Sequence, residues 1–185
     1  SDLIHISERL KDDKNLTLLV LNSTEHPEYK PNYIFNRCSP NYIFERCSPS
    51  LQQDRDVILS ITKNYEQLSN DSKNNLWHII SDKFNDDKEV ILRLINKEPN
   101  FIKTCSARLK DDKEVALEAV SQSGVLIRVI SDRLKDDKEI ILAAVKEDDE
   151  MLKYASPKIH ELCKNKDPIE TLKIAILHEQ IQKDL

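Results

Sequence analysis

Leu109-Lys110-Asp111-Asp112-Lys113-Glu114-Val115 is followed by Leu134-Lys135-Asp136-Asp137-Lys138-Glu139-Ile140, and this pair of phrases decides the fold. Phe84-Asn85-Asp86-Asp87-Lys88-Glu89-Val90 precedes them, and Leu10-Lys11-Asp12-Asp13-Lys14 stands near the start. Asp86, Asp111 and Asp136 fall 25 residues apart. A fixed period of this size marks one supersecondary unit copied in tandem.

Whole units align at that shift. Leu76, Phe101, Leu126 and Met151 share a column, as do Trp77, Ile102, Ile127 and Leu152. Ile80, Cys105, Ile130 and Ala155 form a third, and Phe84, Leu109, Leu134 and Ile159 a fourth. These columns fall on one face of a helix, called B here. The other half of the unit carries Val90, Leu92 and Leu94-Ile95, then Val115, Leu117 and Ala119-Val120, then Ile140, Leu142 and Ala144-Val145, on a second helix A. Ser81, Ser106, Ser131 and Ser156 make a polar column, and Lys83, Arg108, Arg133 and Lys158 a cationic one that reads as a charge-balancing ladder.

An aspartate ahead of an apolar run offers its carboxylate to the unpaired N–H groups of a first helical turn. Asp12, Asp86, Asp111 and Asp136 are assigned this capping role, with Glu114 and Glu139 completing capping boxes after Asp111 and Asp136. Pro99 and Gly124 punctuate the return. The expected fold is all-α, a right-handed α-solenoid of antiparallel B–A pairs, about six of them, in one domain over residues 1–185. Residues 1–75 hold irregular repeats with insertions, 76–160 the regular ones and 161–185 a terminal helix or cap. The start inside a B helix leads to the expectation of a fragment of a longer protein, and Ser1-Asp2-Leu3 does not read as a leader.

The phrases Asp-Asp-Lys-Glu-Val-x-Leu-x-Ala-Val and Leu152-Lys153-Tyr154-Ala155-Ser156-Pro157 resemble a domain-of-unknown-function family of short tandem helical repeats. The resemblance covers 76–160 well and the rest loosely. Departures are Gln53 in the Asp position, the insertions before residue 76 and Leu162 where an Asp would fall. The resemblance implies a fold and carries no catalytic residues. Such repeats occur in bacterial and some eukaryotic proteins, including candidate effectors of intracellular bacteria; the resemblance is compatible with a bacterial origin and, if the parent is an effector, with the host cytosol as destination.

Composition narrows the function. A single glycine, Gly124, excludes a phosphate-cradling loop. The net charge is −5 with both signs interleaved, so nucleic acid is excluded as the expected partner. No stretch approaches the roughly 20 apolar residues of a membrane span. Cys47 and Cys105 fall in a core column, Cys38 and Cys163 are unassigned, and no C-x-x-C occurs. Free thiols suit the cytoplasm or another reducing compartment. His160 with Cys163 is a lone pair, and His5, His26, His78 and His178 complete no metal motif, so no metal or cofactor is expected. The aspartate ladder is read as caps rather than as a calcium site.

A tandem nonapeptide interrupts the pattern. Asn32-Tyr33-Ile34-Phe35-Asn36-Arg37-Cys38-Ser39-Pro40 is copied at once as Asn41-Tyr42-Ile43-Phe44-Glu45-Arg46-Cys47-Ser48-Pro49. Cys47 through Val57, which begins within the second copy, matches Cys105–Val115 at a shift of 58, so the first copy is the extra one. Tyr29, Tyr33, Phe35, Tyr42 and Phe44 crowd this region, and exposed aromatics anchor interfaces. Tyr29, Tyr33, Phe35 and Tyr42 are therefore the candidate partner-binding residues, together with the polar A-helix face around Glu118 and Gln122. The function expected is a non-catalytic scaffold for a protein or peptide partner. The alternative is a structural or targeting segment of a larger enzyme or effector. An enzyme in its own right would need a His, Cys or carboxylate cluster in one cleft.

Overall fold

The computed structural model describes residues 12–23 and 39–183, and among them every regular element is helical. The chain divides into two compact units after Phe84.

In the first unit, α1 spans Lys14–Ser23, α2 Pro40–Arg46, α3 Pro49–Gln52, α4 Arg55–Lys63 and α5 Asn70–Ile79, the last running on into a π turn at Ile80–Phe84. The Ser-Pro pairs of the nonapeptide explain two of these starts. Ser39 and Ser48 accept hydrogen bonds from Tyr42 N and Leu51 N, and Pro40 and Pro49 occupy the first helical turn, where the missing N–H costs nothing. α1 packs on α2 and α4, and α2 on α5. Leu21, Ile43, Phe44, Val57, Ile58, Ile61, Leu76 and Ile80 are fully or almost fully buried. Phe44, one of the aromatics crowding this region but not among the candidate partner-binding residues, is core.

In the second unit, the A helices are α6 (Lys88–Ile95), α8 (Lys113–Gln122) and α9 (Lys138–Glu147). Each buries residues at i, i+1, i+4 and i+5: Val90, Ile91, Leu94 and Ile95; Val115, Ala116, Ala119 and Val120; Ile140, Ile141, Ala144 and Val145. That wide stripe lets one helix pack on neighbours to both sides, and α8 does so with α6 and α9. Leu92, Leu117 and Leu142, assigned to the stripe from sequence, are only half-buried.

The B half is not one helix. A 3-10 turn at Pro99–Thr104, Gly124–Arg128 or Asp149–Tyr154 carries the large core residues Phe101-Ile102, Leu126-Ile127 and Met151. Then the chain extends at Cys105 or Ala155 and restarts, as α7 (Ala107–Lys110), as a 3-10 turn at Leu134–Asp136, or as α10 (Pro157–Cys163). Serine forces the break in α7 and α10, because Ser106 and Ser156 accept from the N–H three residues on and so act as new N-caps.

Gly124 is needed for close approach rather than for a left-handed turn. A Cβ there would lie 2.7 Å from the Ala144 carbonyl oxygen and 3.2 Å from Glu147 Cβ. Beyond α10, Asn165 takes φ 57°, a conformation asparagine tolerates, and α11 (Pro168–Lys183) starts on an Asp167 cap. α11 packs on α9 through Leu172 and leaves Ile174, Leu177 and Ile181 about half exposed.

Candidate functional site

The Asp-Asp-Lys turns hold the densest polar geometry in the second unit. Only the second aspartate of each pair caps. Asp87 accepts from Val90 N at 3.2 Å, Asp112 from Glu114 N at 3.0 Å and Val115 N at 3.2 Å, and Asp137 from Glu139 N at 2.9 Å and Ile140 N at 3.4 Å. In the first unit Asp13 and Asp54 do the same for α1 and α4. The assignment of Asp12, Asp86, Asp111 and Asp136 as caps is thus one residue early. An N-cap needs extended backbone, and Asp112 has it (φ −88°, ψ 122°). Asp111 still belongs to the end of α7, at φ −102°, ψ 5°, with its N–H bonded back to Ala107 and Arg108.

The first aspartate has another task. The Ser106 hydroxyl donates to the Asp86 carboxylate, and Arg108 Nε donates to both its oxygens at 2.9 and 3.1 Å. An Arg108 terminal nitrogen also reaches the Asp86 carbonyl at 2.7 Å. Ser131 and Arg133 repeat this on Asp111, with Nε at 3.0 and 3.1 Å and the carbonyl contact at 2.6 Å. Ser156 donates to Asp136 at 2.6 Å, with Lys158 at 3.7 Å. Beneath each contact a serine N–H donates to the preceding turn: Ser106 to Asn85 O, Ser131 to Lys110 O and Ser156 to Lys135 O. The serine and cationic columns are therefore one clasp, reaching back one repeat.

A second clasp reaches forward. Lys88 Nζ lies 2.8 Å from both Asp112 and Glu114, and Lys113 Nζ 2.8 Å from Asp137 and 2.6 Å from Glu139. Lys14 bridges Asp54 at 2.9 Å and Asp56 at 2.7 Å in the same way. Lys14 and Asp54 are 40 residues apart where Lys88 and Asp112 are 24 apart, so the nonapeptide region is accommodated without opening this clasp. Lys138, next in the series, pairs with Glu179 of α11.

Electrostatics follow from the partners. The Ser106 hydroxyl and then the Arg108 guanidinium hold the Asp86 carboxyl below its ordinary value, and Ser131 and Arg133 do so for Asp111. At Asp112, partial burial pushes upward, but Lys88 and the capped N–H groups outweigh it, so the carboxyl stays low. All these acids remain charged near neutrality, and their oxygens accept from nearby donors. They hold neighbouring turns together.

The thiols read the same way. Cys47, Cys105 and Cys163 are buried and unpaired. Burial pushes the Cys105 thiol up to about 12 and raises those of Cys47 and Cys163. Cys163 is buried while His160 is exposed, and no group of three or more His, Cys, Asp or Glu among the described residues could hold a metal ion. Grooves among the described residues include one of about 260 Å³ along Lys113, Asp137, Lys138 and Glu179, and one of about 390 Å³ along Asn75, His78, Asp82 and Lys83.

Of the aromatic candidates, Tyr29, Tyr33 and Phe35 lie outside the described residues, as do Cys38, His5 and His26. Tyr42 is half-buried, with the Arg46 guanidinium 5.2 Å from its ring centre. On α8, Gln122 Nε2 donates to Glu118 Oε1 at 2.8 Å, an exposed pair that forms part of a polar helix face.

Sequence reading missed Glu45. Its Oε1 accepts from Asn41 Nδ2 at 2.8 Å, from Ser69 Oγ at 3.2 Å and from Ser72 Oγ at 3.0 Å, while Asn41 Oδ1 accepts from Ser69 N at 2.8 Å. A carboxylate thus sits at the N-terminus of α5, where the helix dipole favours it. The signal was available: position 45 is where the two nonapeptide copies differ, Asn36 against Glu45.

A family model described as a domain of unknown function (DUF4116) matches residues 87–135 and, offset by 25, residues 112–160. The matched stretch is the one in which the serine–arginine and lysine clasps recur. Neither the curated proteins nor the solved structures contain a match.

Proposed function

We propose that this chain is a non-catalytic scaffold that binds a protein or peptide, built as a right-handed α-solenoid of about six helix pairs. The observation that carries the reading is the double clasp. At the junctions in residues 85–160 the serines, arginines, first and second aspartates and N-terminal lysines are consumed in holding one unit to the next. The ionisable groups most regularly placed along the chain are thereby occupied, and the thiols are buried and held protonated. What the repeats leave to solvent is a row of polar A-helix faces, represented by Glu89 and Arg93 on α6 and by Glu118 and Gln122 on α8. Extended surfaces of this kind recognise proteins and peptides.

The proposed contacts are Tyr29, Tyr33, Phe35 and Tyr42 in the nonapeptide region and the Glu118–Gln122 face. The partner class is protein or peptide rather than nucleic acid, on the strength of the −5 net charge and the interleaving of the two signs. The setting proposed is a reducing compartment, with the host cytosol as destination if the parent is a secreted bacterial effector.

Affinity capture tests this, comparing the intact chain with two variants that keep their helical circular dichroism. One carries Tyr33→Ala, Phe35→Ala and Tyr42→Ala, and the other Glu118→Lys and Gln122→Ala. A partner captured by the intact chain and lost from one variant supports the scaffold and locates its contact. Capture of nothing by three folded proteins removes the stand-alone scaffold and leaves a structural segment of a larger protein.

A further inference from the structure

Between Asp86 and Lys158, each serine and the cation two residues after it reach back to the first aspartate of the preceding turn, 20 residues before the serine. The first unit repeats the parts of this clasp with one exchange. Gln53 closes α3 at φ −105°, ψ 8°, just as Asp111 closes α7 at φ −102°, ψ 5°. Asp54 follows with extended backbone and caps α4, as Asp112 caps α8. Gln53 thus stands where the repeats have their first aspartate, with an amide in place of the carboxylate.

The cation of this turn is Lys83, in the column of Arg108, Arg133 and Lys158. Lys83 and Gln53 border the same groove of about 390 Å³, together with Asn75, His78 and Asp82. Among the described residues Lys83 is in no ion pair, and an amide cannot neutralise it. Asp82 is exposed beside it, in the column of Asp132, and Asp132 does not keep Arg133 from Asp111. The turn therefore keeps the cation and the backbone of a clasp and has exchanged the acid.

We propose that this groove binds an acidic side chain of a protein partner, whose carboxylate takes on Lys83 the place that Asp86, Asp111 and Asp136 hold on the cations of the other turns. The inference rests on the scaffold reading and names the chemistry of its partner. The Gln53 amide adds an N–H donor beside the ammonium. In the repeats the arginine also reaches the aspartate's own carbonyl, so a peptide offers a second acceptor that a free carboxylate lacks. A polyanion is disfavoured by the net charge of −5. An exposed pair of this kind is weak, so the contact selects among partners rather than supplying the bulk of the affinity.

The test is an NMR titration of the full-length chain with the capped tripeptide acetyl-Ala-Asp-Ala-amide, its Asn counterpart and sodium acetate. The amide signals of Gln53 and Lys83 should shift saturably with the Asp peptide, at an affinity at least about threefold above that for the Asn peptide or acetate. Gln53→Asp supplies the carboxylate from within and Lys83→Gln removes the cation. Each should abolish the saturable shift while the signals of Val115 and Ile140 stay in place. Equal shifts from the two peptides, shifts that survive both substitutions, or none that saturate overturn the site. Acetate bound as tightly as the Asp peptide makes it a site for an adventitious ion only, and overturns it likewise. Affinity capture keeps the two readings apart. A partner held equally by the intact chain and by Lys83→Gln strikes the acidic contact and leaves the scaffold; a chain that captures nothing strikes the scaffold, and the titration decides the groove by itself.

Discussion

The Lys113 ammonium lies 2.8 Å from the carboxylate of Asp137, which is at the same time the N-cap of its own helix, α9. One side chain thus fixes where a helix begins and where its neighbour docks. The arrangement recurs with Lys88 on Asp112 and Lys14 on Asp54. Each pair is part-buried, the lysine 37–46% and the aspartate 23–26% exposed, so solvent still screens its Coulomb attraction; its value lies in geometry already set by the cap.

The two aspartates of a turn should therefore respond differently to substitution. Asp112→Ala removes the cap of α8 and should cost about 1 kcal/mol. Asp112→Asn keeps an acceptor for the cap and loses the charge facing Lys88, so it should cost less, by an amount that shrinks in high salt. Asp111→Ala leaves every cap in place and should lower the unfolding midpoint less than Asp112→Ala. Urea unfolding at low and high salt checks the ordering.

Gly124→Ala should destabilise, against the usual benefit of replacing glycine in a helical segment. The added Cβ would meet the Ala144 carbonyl oxygen at 2.7 Å, so α9 must move away. Overpacking of this kind costs about 1–3 kcal/mol. A midpoint equal to or above that of the parent would show that the 3-10 turn shifts without strain.

Acid should loosen the second unit late. Asp86, Asp111, Asp112 and Asp136 all have carboxyls held below 3.8 in the folded state. A depressed carboxyl contributes stability that is fully present above its unfolded value and lost as pH falls through the folded one. The melting temperature should thus not vary with pH on account of these groups between about pH 5 and 8, where their contribution is fully present, and should fall below about pH 4 as they are protonated. Asp111→Asn should flatten part of that acid limb, measured by thermal melts from pH 7 to 2.5.

Cys105 should be inert in the native protein. Its thiol is buried, donates to Phe101 O at 3.5 Å and is pushed up to about 12. Alkylation at pH 8 should proceed only through unfolding, so its rate should follow denaturant concentration as the global stability does. Labelling independent of denaturant would place the thiol in a locally open segment.

Much of this was legible in the sequence, and the failures have physical causes. The 25-residue period, the core columns through Phe101, Leu126 and Met151, and the helical class all follow from spacing. The serine and cationic columns were visible as columns, but their partners were not, because a partner one repeat back is a fact of stacking. The cap was placed one residue early because Asp111-Asp112 offers two adjacent carboxylates, and only the end of α7 decides which has extended backbone. The B half was expected as one helix because periodicity reports a face and is blind to a mid-face cap such as Ser106. Phe44 was grouped with its aromatic neighbours by type, whereas α2 turns Ile43 and Phe44 inside and leaves Tyr42 half-buried. Glu45 stood in plain view as the lone mismatch between two copies.

The clasps also govern how such a chain can change in length. Each junction between Asp86 and Lys158 is closed by groups from both neighbours, serine with its arginine or lysine pointing back and lysine pointing forward. A duplication or deletion of one whole period, wherever its ends fall, restores the same order of donors and acceptors. One of 24 or 26 residues within a helix sets each cation beside the wrong carboxylate and rotates the core face as well. Heritable growth of this region is thus quantised, and α11, which opens on Pro168 where the preceding A helices open on a lysine, lacks the residue that would carry the forward clasp on.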